Sequence, residues 1–309
     1  MVAGEGVKGY LTAVYKFVRP HTVRGTILAS VCGVARALSE CTVPLASTPW
    51  LELLPNALKG LLALVLGNAF IVGINQIYDV DIDRVNKPFL PVAADELSER
   101  QAWVLVLLGG LAGPCVVAST FSALILKLYS FGLLIGGVYS VPPLRFKRFP
   151  LAAGLTIATV RGFLLNFGVY YAAREALGLS FQWSPVIAFF ACFMTVFAGT
   201  IAVAKDLPDI DGDALFGVET FSTRLGVKKI AQLVTGALCL NYAAAIATAL
   251  LSPAGTFRAF VMVPGHALLA LWLLKSHAKL EPDSQESVKK FYKRIWDLFY
   301  LEYMMYPFL

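Results

Sequence analysis

Runs of about twenty predominantly apolar residues recur nine times along this 309-residue chain, at roughly 22–39, 55–78, 101–119, 121–140, 150–173, 185–205, 228–251, 255–274 and 292–309. That is the length an α-helix needs to cross the hydrocarbon core of a bilayer. Spans of a β-barrel are about half as long and alternate strictly, whereas these runs are continuous. In hydrocarbon the backbone must satisfy its own hydrogen bonds, which leaves helices. The expected fold is all-α: a polytopic membrane protein of about nine transmembrane helices in one bundle, with residues 1–309 as a single membrane-embedded domain. Composition excludes the alternatives. Only 15% of residues are charged and 58% are hydrophobic, against about 25% charged in a soluble domain. A soluble enzyme, a disordered chain and a nucleic-acid-binding module all need more polar surface than this. The five cysteines are scattered without a CxxC pair and read as small buried hydrophobes. Met1 to Gly9 contains no apolar core of a secretory signal.

With nine helices, the N-terminus and the loops after the second, fourth, sixth and eighth share one membrane face. Twenty of the 26 Lys and Arg fall there. Arg36, Lys59, Lys127, Arg174 and Arg258 fall on or near the other face, and Arg161 lies inside a span. The net charge of +6 therefore reports orientation first.

The acidic residues are concentrated on that same face. One cluster closes the second span: Asn75, Asp79, Asp81, Asp83. Another closes the sixth: Asp206, Asp209, Asp211, Asp213. Asn75, Asp79 and Asp83 are spaced i, i+4, i+8 and predict one helical face; Asp209 and Asp213 repeat the spacing. Like charges at that spacing repel, so each cluster needs a compensating cation. An ordinary solvated loop does not explain two such clusters on one face. A calcium loop fails on detail, because Arg84 stands where Gly is required, Leu90 where Glu is required, and Ala214 after the second cluster. Carboxylates without His or Cys beside them favour hard cations, above all Mg²⁺. Metal held by Asn75, Asp79, Asp83, Asp206, Asp209 and Asp213 can clamp a diphosphate between the clusters, with Asp79, Asp83, Asp209 and Asp213 as the catalytic set.

Basic residues suited to the outer phosphate oxygens follow in the same loops: Lys87, Lys205, and Arg145, Lys147 and Arg148 after the twin proline Pro142-Pro143. Arg224 flanks the second cluster as well. A cation several turns inside a span is costly, which makes Arg161 a functional candidate, with Asn166 one to two turns further on. A cation transporter also displays repeated acidic motifs, but transporter sites sit near the bilayer midplane. These clusters sit at span ends, among basic loops a cation carrier has no use for.

The aspartate clusters resemble the two aspartate motifs of the UbiA-type membrane prenyltransferases, along essentially the whole chain. Arg19-Pro20-His21-Thr22, Asn86-Lys87-Pro88-Phe89-Leu90-Pro91 and Tyr139-Ser140-Val141-Pro142-Pro143-Leu144-Arg145-Phe146-Lys147-Arg148 are similar to the homogentisate prenyltransferases of plants and algae. Ala158 to Tyr170 and Trp296 to Leu309 are most similar to the solanesyl-transferring members. Phe221 to Gly226 reads at least as much like the phytyl-transferring ones, and Ala94-Asp95-Glu96 departs from a small-residue turn that relatives often carry. Ser98 to Gln101 is more simply a capping box that starts the third helix.

The resemblance implies a nine-helix bundle with a loop cap on one face, Mg²⁺, and a polyprenyl diphosphate donor. It implies homogentisate as acceptor, prenylated with loss of its carboxyl group toward plastoquinone, in a plastid envelope membrane with the active-site loops on the stromal side. Phytyl or geranylgeranyl transfer to homogentisate is the nearest alternative. Within that reading, His21, Arg24, Tyr78, Tyr139, Arg161 and Asn166 are candidates for the acceptor. Tyr78, Tyr139 and Phe163 offer ring faces to an allylic cation.

Overall fold

The computed structural model describes residues 6–41 and 44–309; the first residues of the Met1–Gly9 stretch lie outside it. Every regular element it describes is a helix. A short helix α1 (Gly6–Phe17) leads into α2 (Pro20–Ser39). Then follow α3 (Trp50–Tyr78), α4 (Val80–Asn86), α5 (Glu99–Thr120), α6 (Ala123–Ser140), α7 (Pro150–Ile157), α8 (Leu165–Ala176), α9 (Pro185–Ala204), α10 (Ile210–Leu215), α11 (Phe221–Leu251), α12 (Ala259–Ala278) and α13 (Gln285–Met305). A π-helical stretch, Ala158–Leu164, makes α7 and α8 one continuous rod.

Among the described residues, seven helices are long and apolar enough to cross a membrane: α3, α5, α6, the Pro150–Ala176 rod, α9, α11 and α12. By length and composition alone the expected nine are therefore not all reached. Helices α2 and α13 occupy the places of the first and the ninth, but their composition is more polar. The first half of α13 carries Lys289, Lys290, Lys293 and Arg294, and its core-facing side carries Phe291, Ile295, Phe299 and Tyr303. It is therefore an amphipathic helix.

Local chemistry sets the helix starts. The expected capping box forms: the Ser98 backbone donates to Gln101 Oε1 at 2.9 Å and the Gln101 backbone donates back to Ser98 Oγ. Thr220 and Thr223 form a second box at the start of α11. Helix α9 runs through the main core. Its Phe190, Met194, Phe197 and Ile201 are buried against Val234, Leu238 and Tyr242 of α11 and Phe299 and Tyr303 of α13. A smaller core joins α1, α3 and α5 through Phe17, Ile74 and Val106.

The up-and-down path brings α1 and the loops after α3, α6, α9 and α12 to one end of the bundle. Contacts there cross between them: Lys16 with Glu96 at 2.5 Å, Arg145 with Asp79, Asn86 with Asp213 and Gln285 with Asp211. The opposite end is held by Glu40, which accepts from Arg36 at 2.8 Å, from Ser184 at 2.8 Å and from the Tyr170 hydroxyl. Arg36 and Arg174, two of the five basic residues assigned to that face, thus share one carboxylate.

Candidate active site

The first cluster is built at a break. Asp79 ends α3 and precedes α4 with φ −121° and ψ 19°, outside the helical region. The predicted single face through Asn75, Asp79 and Asp83 is therefore divided between two helices, although the Asp83 backbone still donates to the Asp79 carbonyl at 2.8 Å. At the break the Asp79 carboxylate receives three donors: Arg145 at 2.9 Å, Lys147 at 2.5 Å and Asn75 Nδ2 at 3.0 Å. Asn75 also donates to Ser140 Oγ at 3.2 Å and accepts from Arg19 at 3.0 Å. Asp81 points away and is exposed beside Arg84.

The second cluster faces the first. Asn86 donates to Asp213 at 3.0 Å, and Lys87 reaches across to Asp209 while lying 3.9 Å from Asp83. Helices α4 and α10 touch at Gly212, where an added Cβ would stand 2.0 Å from Asn86 Oδ1. Only glycine permits that approach. Asp206 is paired with its neighbour Lys205, and the Tyr139 phenol lies against the same lysine.

Burial makes these carboxylates resist ionisation. Asp83 is pushed up to about 6 by desolvation, opposed by Arg19 and Lys87 and reinforced by Asp79 and Asp209. Asp213 is pushed up to about 7 by desolvation and then by the charges of Asp206 and Asp209. Desolvation also brings the Lys147 ammonium down to about 8, against the pull of Asp79. One oxygen of Asp83 is buried without a hydrogen-bond partner.

Two arginines of the site, Arg19 (φ 54°) and Arg145 (φ 37°), sit in the left-handed region that non-glycine residues rarely adopt. Such strain persists only where surrounding structure holds it, and it gathers at functional sites. Both send guanidinium groups onto the first cluster.

Beneath the clusters, Arg161 projects from the π-helical stretch. Its Nη1 is buried without a hydrogen-bond partner, no carboxylate pairs with it among the described residues, and the guanidinium lies 5.6 Å from the Trp296 ring centroid. The π-turn exists because Gly162 meets the backbone of α9: an added Cβ there would be 2.4 Å from the Thr195 Cα. Asn166 serves this distortion, since its amide donates to the Gly162 carbonyl at 2.6 Å. It caps the irregular backbone. His21 lies edge-on to Trp296 with centroids 5.2 Å apart, and its carbonyl accepts from the Tyr300 hydroxyl at 2.7 Å. Arg161 also lines the upper end of an apolar cavity of about 200 Å³, bounded by α2, α3, α5, α6 and α8.

The structure brings some of the expected residues together and sets others apart. Among the described residues no three His, Cys, Asp or Glu side chains are placed to hold a metal ion. The six expected ligands lie among the chain's own Lys, Arg and Asn, which supply the countercharge that a buried carboxylate needs. The ring of Tyr78 packs edge-on to Trp103, and only its backbone carbonyl reaches the site, accepting from Arg145. Arg148 is exposed while Lys147 points inward. Arg24 is exposed at the rim. Phe163 stacks on Phe167, away from the clusters. Arg19, Asn86, Ser140, Trp296 and Tyr300 join the site without having been expected there. Only Arg19 carried a local signal, a cation directly before the helix-starting Pro20.

The description of the UbiA prenyltransferase family matches residues 41–301. The chain belongs to the UbiA prenyltransferase family. It is 52% identical to a probable homogentisate phytyltransferase 2 of Oryza sativa, described as chloroplastic, over 96% of this chain and 77% of the relative. It is also 52% identical to the chloroplastic homogentisate solanesyltransferase of Arabidopsis thaliana, over 99% of this chain and 78% of the relative. The fold matches a UbiA homolog from Archaeoglobus fulgidus bound to GPP and Mg²⁺, with TM-score 0.63 and 18% identity over 96% of this chain and all of the other. The chain is thus a UbiA-type membrane prenyltransferase, and these relatives are prenyltransferases of an aromatic acceptor. The helix bundle and its loop-covered end are those of the UbiA fold.

Proposed function

We propose that the chain, as one membrane-embedded domain, transfers a solanesyl group from its diphosphate to homogentisate with loss of the acceptor's carboxyl group, giving 2-methyl-6-solanesyl-1,4-benzoquinol. The observation that carries this reading is the meeting of two carboxylate clusters, bridged by Lys87, in a bundle that also holds an apolar cavity with an unpaired arginine in its wall. Polar head, aromatic acceptor and long tail each have a fitting environment.

The donor set fits Mg²⁺. All the candidate ligands are oxygens, as a hard cation prefers, one oxygen of Asp83 is buried without a partner, and Asp83 and Asp213 resist ionisation in the positive charge available to them. Asp79 and Asp83 on one side and Asp209 and Asp213 on the other would hold the metal, with Asn75 and Asp206 beside them. When bound, it supplies positive charge to the departing diphosphate. Lys87, Arg145, Lys147 and Lys205 neutralise outer phosphate oxygens as the carbon–oxygen bond breaks; Arg19, beside Asn75, adds to this set. Arg161 receives the acceptor carboxylate, and Trp296 and His21 flank the ring. The electron-rich ring carbon bonds to the allylic carbon. Carbon dioxide leaves the side chain, and the proton released from the ring replaces it there, so no net base is consumed.

The named relatives are chloroplastic, and the basic residues crowd the site's face. This supports a plastid envelope location with the site toward the stroma. Phytyl or geranylgeranyl transfer is the competing reading, the former supported by the equal identity to the rice relative. A panel of prenyl diphosphates offered with homogentisate to membranes containing the protein, with products identified by mass, decides between them. Solanesyl product as the main species supports the proposal, and preferred phytyl transfer overturns it.

The raised carboxyl groups give a pH dependence with a definite sign. Folded-state values of about 6 for Asp83 and about 7 for Asp213 exceed the free carboxyl value of about 3.9. The folded state therefore holds these protons more tightly, and a cation must displace them. The Mg²⁺ concentration giving half-maximal activity is expected to fall by roughly tenfold from pH 6 to pH 8. A flat profile over that interval contradicts the assignment.

A further inference from the structure

The apolar cavity descends from Arg161 and Ile71 to Leu53 and Ala176 near the far end of the bundle. Along α3 that is 18 residues, roughly 27 Å of helix at about 1.5 Å per residue, most of the thickness of the hydrocarbon core. On α8 its wall is the stripe Leu165, Gly168, Val169, Ala172, Ala173 and Ala176, which follows the i, i+3, i+4 periodicity of one helix face. Gly168 stands in the middle of that stripe.

A glycine inside a helix weakens it and needs a reason. Gly67, on the same cavity wall, has one: an added Cβ would meet the Tyr129 hydroxyl at 2.8 Å. Around Gly168 nothing lies within 4 Å of an added Cβ. No neighbour requires the missing side chain, and the space it leaves belongs to the cavity. The depth of this point can be read across the bundle. Val169 packs against Gly33 of α2, fourteen residues and roughly 21 Å of helix below Arg19, which touches Asn75.

We propose that Gly168 determines the length of prenyl donor the enzyme accepts, by keeping open the middle of the channel in which the tail lies. The inference rests on the proposed prenyl transfer and adds the residue that selects the donor. A short farnesyl tail ends above the level of Gly168, whereas a solanesyl tail must pass it.

The test is a series of Gly168→Ala, Gly168→Leu and Gly168→Phe in the full chain, with Gly236→Leu as control. Gly236 also has open space around it but lies on α11, off the cavity wall. Each variant is assayed with homogentisate and prenyl diphosphates from geranyl to solanesyl. The ratio of kcat/KM for solanesyl over farnesyl diphosphate is expected to fall stepwise with side-chain size, by at least tenfold in Gly168→Phe, a size within reach of one apolar pocket contact. The longest accepted donor shortens in parallel, and the control keeps the wild-type ratio. An unchanged ratio, or parallel loss of both donors across the whole series, overturns the proposal. Failure of the wild-type enzyme to prenylate homogentisate with any donor instead overturns the function on which it rests, so the two failures are read from different samples.

Discussion

Replacing Asp79 or Asp209 by alanine is expected to lower prenyl transfer by about 10²–10³-fold, the loss typical of removing one preorganised electrostatic group from a reaction centre. Asp79 is the hub of the first cluster, gathering Arg145, Lys147 and Asn75 on one carboxylate. Asp209 is the point at which the second cluster grips Lys87. Alanine at either place leaves the basic side chains in place and free, so the anionic donor still finds positive charge. Residual binding to them keeps the donor KM measurable, and because the Mg²⁺-dependent grip is also weakened the loss should appear in both kcat and KM for the donor. Asparagine keeps the shape of the side chain while removing its charge, and is expected to lose as much activity as alanine. A kinetic comparison at saturating Mg²⁺, with thermal unfolding in detergent to confirm folding, checks this. Wild-type turnover in a folded Asp79→Ala protein contradicts the clamp.

Arg161→Met is expected to lower kcat/KM for homogentisate by about 10²-fold, the scale of a lost charge-assisted carboxylate contact in a dry site. KM for the prenyl donor should barely change. The same substitution is expected to leave thermal stability unchanged or to raise it, because it removes a buried cation that has no anionic partner in the free protein. Opposite signs in activity and stability are the signature of a group kept for its substrate. If the variant instead melts lower and binds acceptor normally, Arg161 belongs to the packing around Trp296 and not to the acceptor site.

The apolar spans were legible because hydropathy is a local property and lipid forces each helix to satisfy its own backbone. The two marginal helices, α2 and α13, were less so, since their lengths suit a span while their polarity does not. Both acidic clusters and their common face were also legible, from spacing and loop parity. The break at Asp79 was not. The i, i+4, i+8 pattern continues through it, and the tertiary partners Arg145 and Lys147 decide where the helix gives way. That break turns the Tyr78 ring out toward Trp103. In the loop after α6, a left-handed Arg145 and the short turn after it aim Lys147 inward and Arg148 outward, a distinction two adjacent basic residues do not announce. Asn166 followed from the π-turn imposed by Gly162 against α9. Trp296 and Tyr300 reach Arg161 and His21 from the far end of the chain, and no local pattern marks an aromatic ring as lining a site in a chain with 12% aromatic residues.

The central claim is that the two clusters act together on one diphosphate. Calorimetric titration of inorganic diphosphate in the presence of Mg²⁺, into wild type, Asp79→Asn, Asp209→Asn and the double variant, tests it most directly. Each single change is predicted to abolish most of the Mg²⁺-dependent binding, with the double variant little worse than either, because half a clamp holds no more than none. Two independent, additive losses would mean that the clusters bind separately and that no shared diphosphate joins them.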